Sequence, residues 1–274
     1  MEAYLLKASA ILALFLIVYQ TFLKNETFFR GNRYFLLGGI GAALLLPLVT
    51  IREEVAIPLQ ALGQAPSPAP AWQEPAGVAW DTLLLGGYLL GAGVLLFGLL
   101  RQLVKLRHLI KQGSKRRQNG LVLVRSQRIA APFSFFRYVF YNPQAHDPSE
   151  LAQILEHEKA HARQWHSLDV LLGRATAILL WANPLAWWYQ KSLQQNLEYL
   201  ADAQAARQVP SVKAYQYTLL KVSGNTPAPV LTNSFYQSPI KKRIAMLHQN
   251  PSKTIHLLKY LVILPALAGF LMAF

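Results

Sequence analysis

The chain has 274 residues, of which 53% are hydrophobic and only 15% charged; it has no cysteine and a formal charge of +14. Soluble globular proteins carry about 25% charged residues, so the deficit points to a membrane. The lack of cysteine excludes a disulfide framework, a Cys-ligated metal and a thiol nucleophile.

Four runs, at 4–23, 34–51, 82–100 and 255–274, approach the roughly 20 apolar residues that cross a hydrocarbon core of about 30 Å. The first holds only Lys7, close enough to its end to snorkel, and the last is interrupted by Lys259 and Pro265. No small-residue cleavage site precedes Lys24-Asn25, so the first run reads as a retained span and not a signal peptide. The 24–33 loop carries Lys24, Arg30 and Arg33. The 52–81 loop sets Arg52 against Glu53, Glu54, Glu74 and Asp81 around a centre rich in Pro, Ala and Gln. Residues 101–253 hold 21 Lys or Arg against 7 Asp or Glu. Positive loops stay inside, so this segment is expected in the cytoplasm of a bacterial inner-membrane protein with both termini outside. The expected division is 1–104 (three spans), 105–253 (cytoplasmic domain) and 254–274 (fourth span). Lys105, Arg107, Lys111, Lys115, Arg116 and Arg117 follow a span directly and form no nucleic-acid motif. They read as contacts to anionic headgroups, and no direct nucleic-acid partner is expected.

In the basic segment, 121–126 and 136–142 favour strands and are separated by Ala130-Ala131-Pro132. Asp147-Pro148-Ser149-Glu150 starts a helix: an Asp cap, Pro at the first position and a glutamate placed to reach back as in a capping box. This helix is expected to run to about His166. The apolar run 168–189 contains Asp169, Arg174 and Asn183-Pro184, which favours a buried core helix against the membrane surface over a fifth span. A further helix over about 190–208 ends before Pro210. Residues 223–238 read as a connector.

The capped helix carries the chemistry. His157-Glu158-Lys159-Ala160-His161 is HExxH, which puts two imidazoles on one helical face with a carboxylate beside them. Two neutral nitrogen ligands and a general base for the attacking water are what a zinc hydrolase needs, so Zn2+ is the expected cofactor and Glu158 the expected catalytic residue. A third ligand is required. His166 follows His161 by five residues, not six, without the glycine of the longer HExxHxxGxxH pattern, and reads as a helix-end residue near the site. Glu198 on the later helix is the better third ligand. Asp202, one turn on, would hydrogen-bond a ligand imidazole and fix its tautomer. Tyr199, Tyr215 and Arg207 are candidates to stabilise an oxyanion. Trp181, Trp187, Trp188 and Tyr189 read as core or interface anchors before a substrate groove.

The order of elements resembles the BlaR/MecR-type family of bacterial membrane zinc metallopeptidases, the antirepressors of β-lactam resistance. The likeness spans three membrane runs, a basic domain, Pro132-Phe133-Ser134-Phe135, the HExxH, Asp169, Trp181-Ala182-Asn183-Pro184, Glu198 with Asp202, and a last span. It implies a mainly α membrane protein: four transmembrane helices with a cytoplasmic α+β domain of the zincin type, gluzincin-like. It implies zinc on His157, His161 and Glu198, with Glu158 as base. Its implied partners are the lipid bilayer and a cytoplasmic protein substrate, a transcriptional repressor and the protease itself; self-association stays open. Relatives that sense β-lactams carry an outer penicillin-binding domain after the last span, whereas this sequence stops at Phe274: either it is truncated or it belongs to a relative whose outer domain is different or absent, and β-lactam sensing has no support in it. Ser238-Pro239-Ile240-Lys241 has SxxK spacing without partner motifs and reads as accidental. Two other readings remain: a membrane quality-control zinc protease with many substrates, and a non-catalytic signal relay, which would need no general base.

Overall fold

The computed structural model describes residues 2–49, 80–225 and 240–273. The acidic loop and most of the 223–238 connector, Ser238 included, lie outside them. The described residues are mainly helical with one small sheet.

Helix α1 (Glu2–Val18) continues through one π-helical turn, Tyr19–Leu23, and α2 (Phe29–Leu45) through a 3-10 turn, Leu46–Leu48, where Pro47 cannot sustain the α ladder. Helix α3 (Trp80–Gln112) runs twelve residues past the end of its apolar stretch, about 18 Å at 1.5 Å per residue. Among the described residues, three helices are long and apolar enough to cross a membrane: Ala3–Leu23, Trp80–Gln112 and Thr254–Met272. The 34–51 run is not among them, because its helix starts at Phe29, takes in Arg30 and Arg33 and stops at Leu45. The last membrane-length helix is 3-10 over Thr254–Val262 and α over Ile263–Ala273 (α9); Pro265 lacks the N–H that would bond back to Leu261.

The sheet has order β1-β2-β4-β3, with β1 (Ser114–Gln118), β2 (Leu121–Arg125), β3 (Phe133–Phe135) and β4 (Tyr138–Tyr141). The β1–β2 hairpin turns on Asn119-Gly120, both at positive φ (50° and 77°), as its twist requires. Strands β2 and β4 pair in parallel, Leu123 opposite Val139; β3 pairs antiparallel to β4 and forms an edge. Side chains alternate between two cores. Leu121, Leu123 and Val139 pack on Ala162, whereas Val124, Ile129 and Phe140 pack on Leu106, Leu109 and Ile110 of the α3 extension. The sheet therefore sits between α3 and the HExxH helix. Strand β1 escapes sequence reading because Ser-Lys-Arg-Arg-Gln has no apolar alternation and is wholly exposed. The 136–142 run begins only at Tyr138, and Phe133–Phe135, outside both expected runs, is a strand of its own.

Helix α4 (Pro148–Arg163) stops short of His166. Trp165 adopts a left-handed conformation (φ 58°), and α5 (His166–Leu179) leaves in a new direction. The expected capping box is not made: Asp147 caps no N–H with its side chain, and Glu150 accepts from Lys221 at 2.6 Å. The 168–189 run is broken not near Gln190 but at Asn183-Pro184, where Asn183 caps α6 (Pro184–Ala205) by accepting from the Leu185 N–H at 2.9 Å. Two further helices, α7 (Val212–Asn225) and α8 (Ile240–His248), complete the domain.

The α5–α6 hairpin is wedged among the membrane-length helices. Leu180, Tyr189 and Leu193 share one core with Leu12, Leu16 and Leu23 of the first helix and Leu36 and Ile40 of α2. Trp181 donates to the Tyr88 carbonyl at 3.1 Å, Tyr88 donates to the Leu179 carbonyl, and the Tyr189 hydroxyl donates to the Leu36 carbonyl at 2.7 Å. The turn of the hairpin thus lies beside the 82–100 apolar run at Tyr88. Polar ties mark the other end. Arg33 forks onto Asp169 (2.6 and 3.1 Å) and onto the Gln164 carbonyl (2.9 Å), and Asn196 donates to the Phe29 carbonyl at 2.9 Å. Glu26 pairs with His256 at 2.9 Å and with Lys259.

A Cβ on Gly39 would strike the Tyr189 hydroxyl and meet Phe15 at 2.8 Å, whereas one on Gly41 meets nothing within 4 Å. Thermal unfolding in detergent should show Gly39→Ala destabilised by about 1–3 kcal/mol. Gly41→Ala should be neutral or more stable by up to about 1 kcal/mol through helix propensity. For Glu26, burial favours the neutral acid, but Lys259, Ser252 and His256 outweigh it and hold the pKa at about 2, against an ordinary 4.5. A depressed carboxylate stabilises the fold above its unfolded pKa and loses that contribution as pH falls through the folded one. The melting-temperature gap between wild type and Glu26→Gln should therefore be constant near neutrality and close between pH 4.5 and about 2.

Candidate metal centre

Helices α4 and α6 bring the HExxH and Glu198 together. His157, His161 and Glu198 are all buried, and one ligand atom from each lies within 4.8 Å of the others. The two imidazoles meet Nε2 to Nε2 at 3.1 Å. His157 Nε2 is 3.4 Å from Glu198 Oε2, and His161 Nε2 is 3.5 Å from Oε1. An ion bound at 2.0–2.1 Å in tetrahedral geometry needs ligand atoms about 3.3 Å apart, so these side chains fit a metal of that kind.

The outer nitrogens are held. His157 Nδ1 lies 3.0 Å from Asp202 Oδ1 and 2.9 Å from the Tyr215 hydroxyl, which itself donates to Asp202 at 2.7 Å. A proton on Nδ1 leaves the Nε2 lone pair facing the centre. Asp202 thus lies against the outer nitrogen of His157. His161 Nδ1 meets His166 Nδ1 at 2.8 Å, so His166, at the start of α5, orients His161 from behind and its ring does not enter the ligand cluster. The left-handed Trp165 makes this possible by turning the chain back beneath α4.

Glu158 keeps part of its surface open beside the cluster, and the Ser134 hydroxyl of β3 hydrogen-bonds it. Burial raises its pKa, with His157 and Ser134 opposing, which suits a group that must accept a proton and return it. The other carboxylates go the opposite way. Burial would neutralise Glu198, but Arg243, His161 and His157 hold it at about 2; Asp202, against Arg243 and His157, lies well below the usual carboxylate range. Burial drives His161 down to about 4 and lowers His166 far more. At His157 burial also favours the neutral ring, yet hydrogen bonds to Asp202 and Glu198 carry its pKa up to about 9.

Arg243 of α8 is the residue that sequence reading missed. Its Nε and Nη2 donate to Asp202 at 2.7 and 2.6 Å, and its Nη1 lies 2.9 Å from Glu198 Oε2. In the sequence it is the last of Lys241-Lys242-Arg243 and looks like one more solvated cation. The available signal was indirect: two carboxylates on a buried helical face require a counter-charge. Of the oxyanion candidates, Tyr215 is committed to Asp202 and Tyr199 accepts from Gln195 at 2.5 Å. Arg207 lines a cavity of about 310 Å³ that Asp202, Tyr199 and Arg243 line too. The aromatic run is structural, as expected: Trp187 donates to the Trp181 carbonyl at 2.9 Å and carries Arg174 over its ring, and Tyr189 is in the core.

Two histidines and a glutamate converging on one point, with a second glutamate beside them, define a metallopeptidase-type centre in a chain with membrane-length helices. A family model described as BlaR1 peptidase M56 matches residues 87–247, and the chain belongs to that family, the BlaR/MecR type. The match runs from within α3 to the end of α8 and includes every residue of the centre. The chain is thus a membrane-associated metallopeptidase by family. No curated protein matches it.

Removing a group that orients a ligand imidazole typically weakens metal binding 10–100-fold. His166→Ala and Asp202→Asn should each do so when zinc is titrated against a chelator on the full chain in detergent, while His108→Ala, at an exposed position, should match wild type.

Proposed function

We propose that this protein is a membrane-anchored zinc endopeptidase that cleaves a cytoplasmic protein during transmembrane signalling. The observation that carries the reading is the buried convergence of His157, His161 and Glu198 beside Glu158. A set of two imidazoles and one carboxylate suits zinc among the available divalent metals. His157, His161 and Glu198 would hold the ion, which when bound supplies a Lewis acid for the scissile carbonyl and lowers the pKa of water. Glu158 takes the proton of the attacking water and returns it to the leaving amine. Asp202 and His166 keep both imidazoles in the ligating tautomer.

The substrate main chain pairs with the open edge of β3, whose Ser134 touches Glu158; edge addition would lay an extended peptide along the centre. On this reading the fold is of the gluzincin-like zincin type. The α2 run is the second of four spans, residues 105–253 form the cytoplasmic domain, and 254–274 form the last span. The concentration of Lys and Arg in the middle segment supports an inner-membrane location with both termini outside. By family likeness the substrate is a transcriptional repressor and the protease itself, with no nucleic acid bound directly.

The test compares wild type with Glu158→Ala, both in detergent with cytoplasmic extract, scoring zinc content and new protein termini. About one zinc per chain in both, with cleavage in wild type reduced at least 10²–10⁴-fold in the variant, is the expected result. A narrow set of new termini supports a dedicated signalling protease, and a broad set supports quality control. A chain without zinc overturns the catalytic reading and leaves a relay.

A further inference from the structure

We propose that Arg243 is a positioning residue of this centre: its guanidinium occupies Glu198 Oε2 and both oxygens of Asp202, so that Glu198 offers a metal the single oxygen Oε1 and Asp202 stays turned to His157. The inference rests on the reading of His157, His161 and Glu198 as ligands.

Three contacts from one planar group carry it. Nε reaches Asp202 Oδ2 at 2.7 Å, Nη2 reaches Oδ1 at 2.6 Å, and Nη1 reaches Glu198 Oε2 at 2.9 Å. Nη2 also stands 3.5 Å from His157 Nε2, at the rim of the ligand cluster. A guanidinium presents these donors in a fixed fork, which a lysine ammonium cannot reproduce.

The consequence for Glu198 is geometric. Oε1 faces His161 Nε2 at 3.5 Å, while Oε2, 3.4 Å from His157 Nε2, is held closer by the arginine at 2.9 Å. A carboxylate pinned by one oxygen is set to ligate through the other, which keeps a coordination position open for water. The consequence for charge is equally direct. Glu198 and Asp202 lie one turn apart, both almost wholly buried, and two anions in such a place repel unless a cation lies between them. Arg243 is that cation, and it comes from a helix that fully buries none of its own residues.

The test uses the full chain in detergent, with zinc and cobalt(II) as probes. Zinc affinity is read by competition with a chromogenic chelator. Coordination number is read from the visible cobalt band, which is strong for four-coordinate and weak for five-coordinate sites. Arg243→Gln frees Glu198 Oε2, so zinc should bind 10–100-fold more weakly and the cobalt band should lose intensity. Arg243→Lys should resemble Arg243→Gln more than wild type, and Lys242→Gln, at an exposed position, should match wild type. A wild-type cobalt band with wild-type zinc affinity in Arg243→Gln overturns the assignment. If Arg243→Gln has no thermal transition, Arg243→Lys decides by the same two readouts. A wild-type chain that takes up no zinc overturns the metal-centre reading and this one with it. Zinc in wild type with an unaltered variant overturns this one alone.

Discussion

Burying two like charges one helical turn apart is the constraint from which the centre is built. Glu198 and Asp202 are both almost wholly removed from water, and isolated carboxylates there would cost several kcal/mol each. They are tolerated because α4 supplies two imidazoles, α7 a tyrosine hydroxyl and α8 a guanidinium. These partners come from three different helices, so satisfying the charges also packs the domain. The arrangement is demanding: removing one member leaves the others buried and unpaired, which costs more than the lost contact itself.

The same helix answers a different requirement at its other end. From Pro184 to Leu193, α6 is held by apolar packing against α1 and α2 and by the seat that Gly39 leaves for Tyr189. Between the two regimes lie the polar ties at Asn196–Phe29 and Arg33–Asp169. Arg33 looks like a topogenic charge in the sequence. In the structure it is a bidentate anchor that joins the start of α2 to both Asp169 of α5 and the end of α4. The sheet is placed by a third device, the continuation of α3 well beyond its apolar stretch, against which Val124 and Phe140 pack.

Much of this was legible before any coordinates. Helical spacing put His157, Glu158 and His161 together, and the i,i+4 relation of Glu198 to Asp202 put both carboxylates on one helical face. Those are local regularities, and local regularities survive in a sequence. What escaped depended on distant chain. The break at Trp165 needs a left-handed residue that no glycine or asparagine announces, and it decides that His166 supports His161 from behind. The division of the 168–189 run was one proline away from being read correctly: Asn183-Pro184 is a helix start, though its apolar flanks hide it. Strand β1 has no pattern of its own and exists through its register with β2. Arg243 acquires its meaning only from carboxylates 41 and 45 positions earlier.

A single unbroken helix carries Glu198 of the candidate metal cluster toward one end and, toward the other, the Tyr189 and Leu193 side chains packed in the core with α1 and α2. Free energy that a bound ion would add by holding Glu198 in place would be shared with Leu193 and Tyr189, about one and a half and two and a half turns toward the helix start. Whatever tightens or loosens the apolar bundle returns to the ion by the same amount, since such coupling is reciprocal. The metal-ligand cluster and the core that α6 shares with α1 and α2 are therefore joined by one continuous helix.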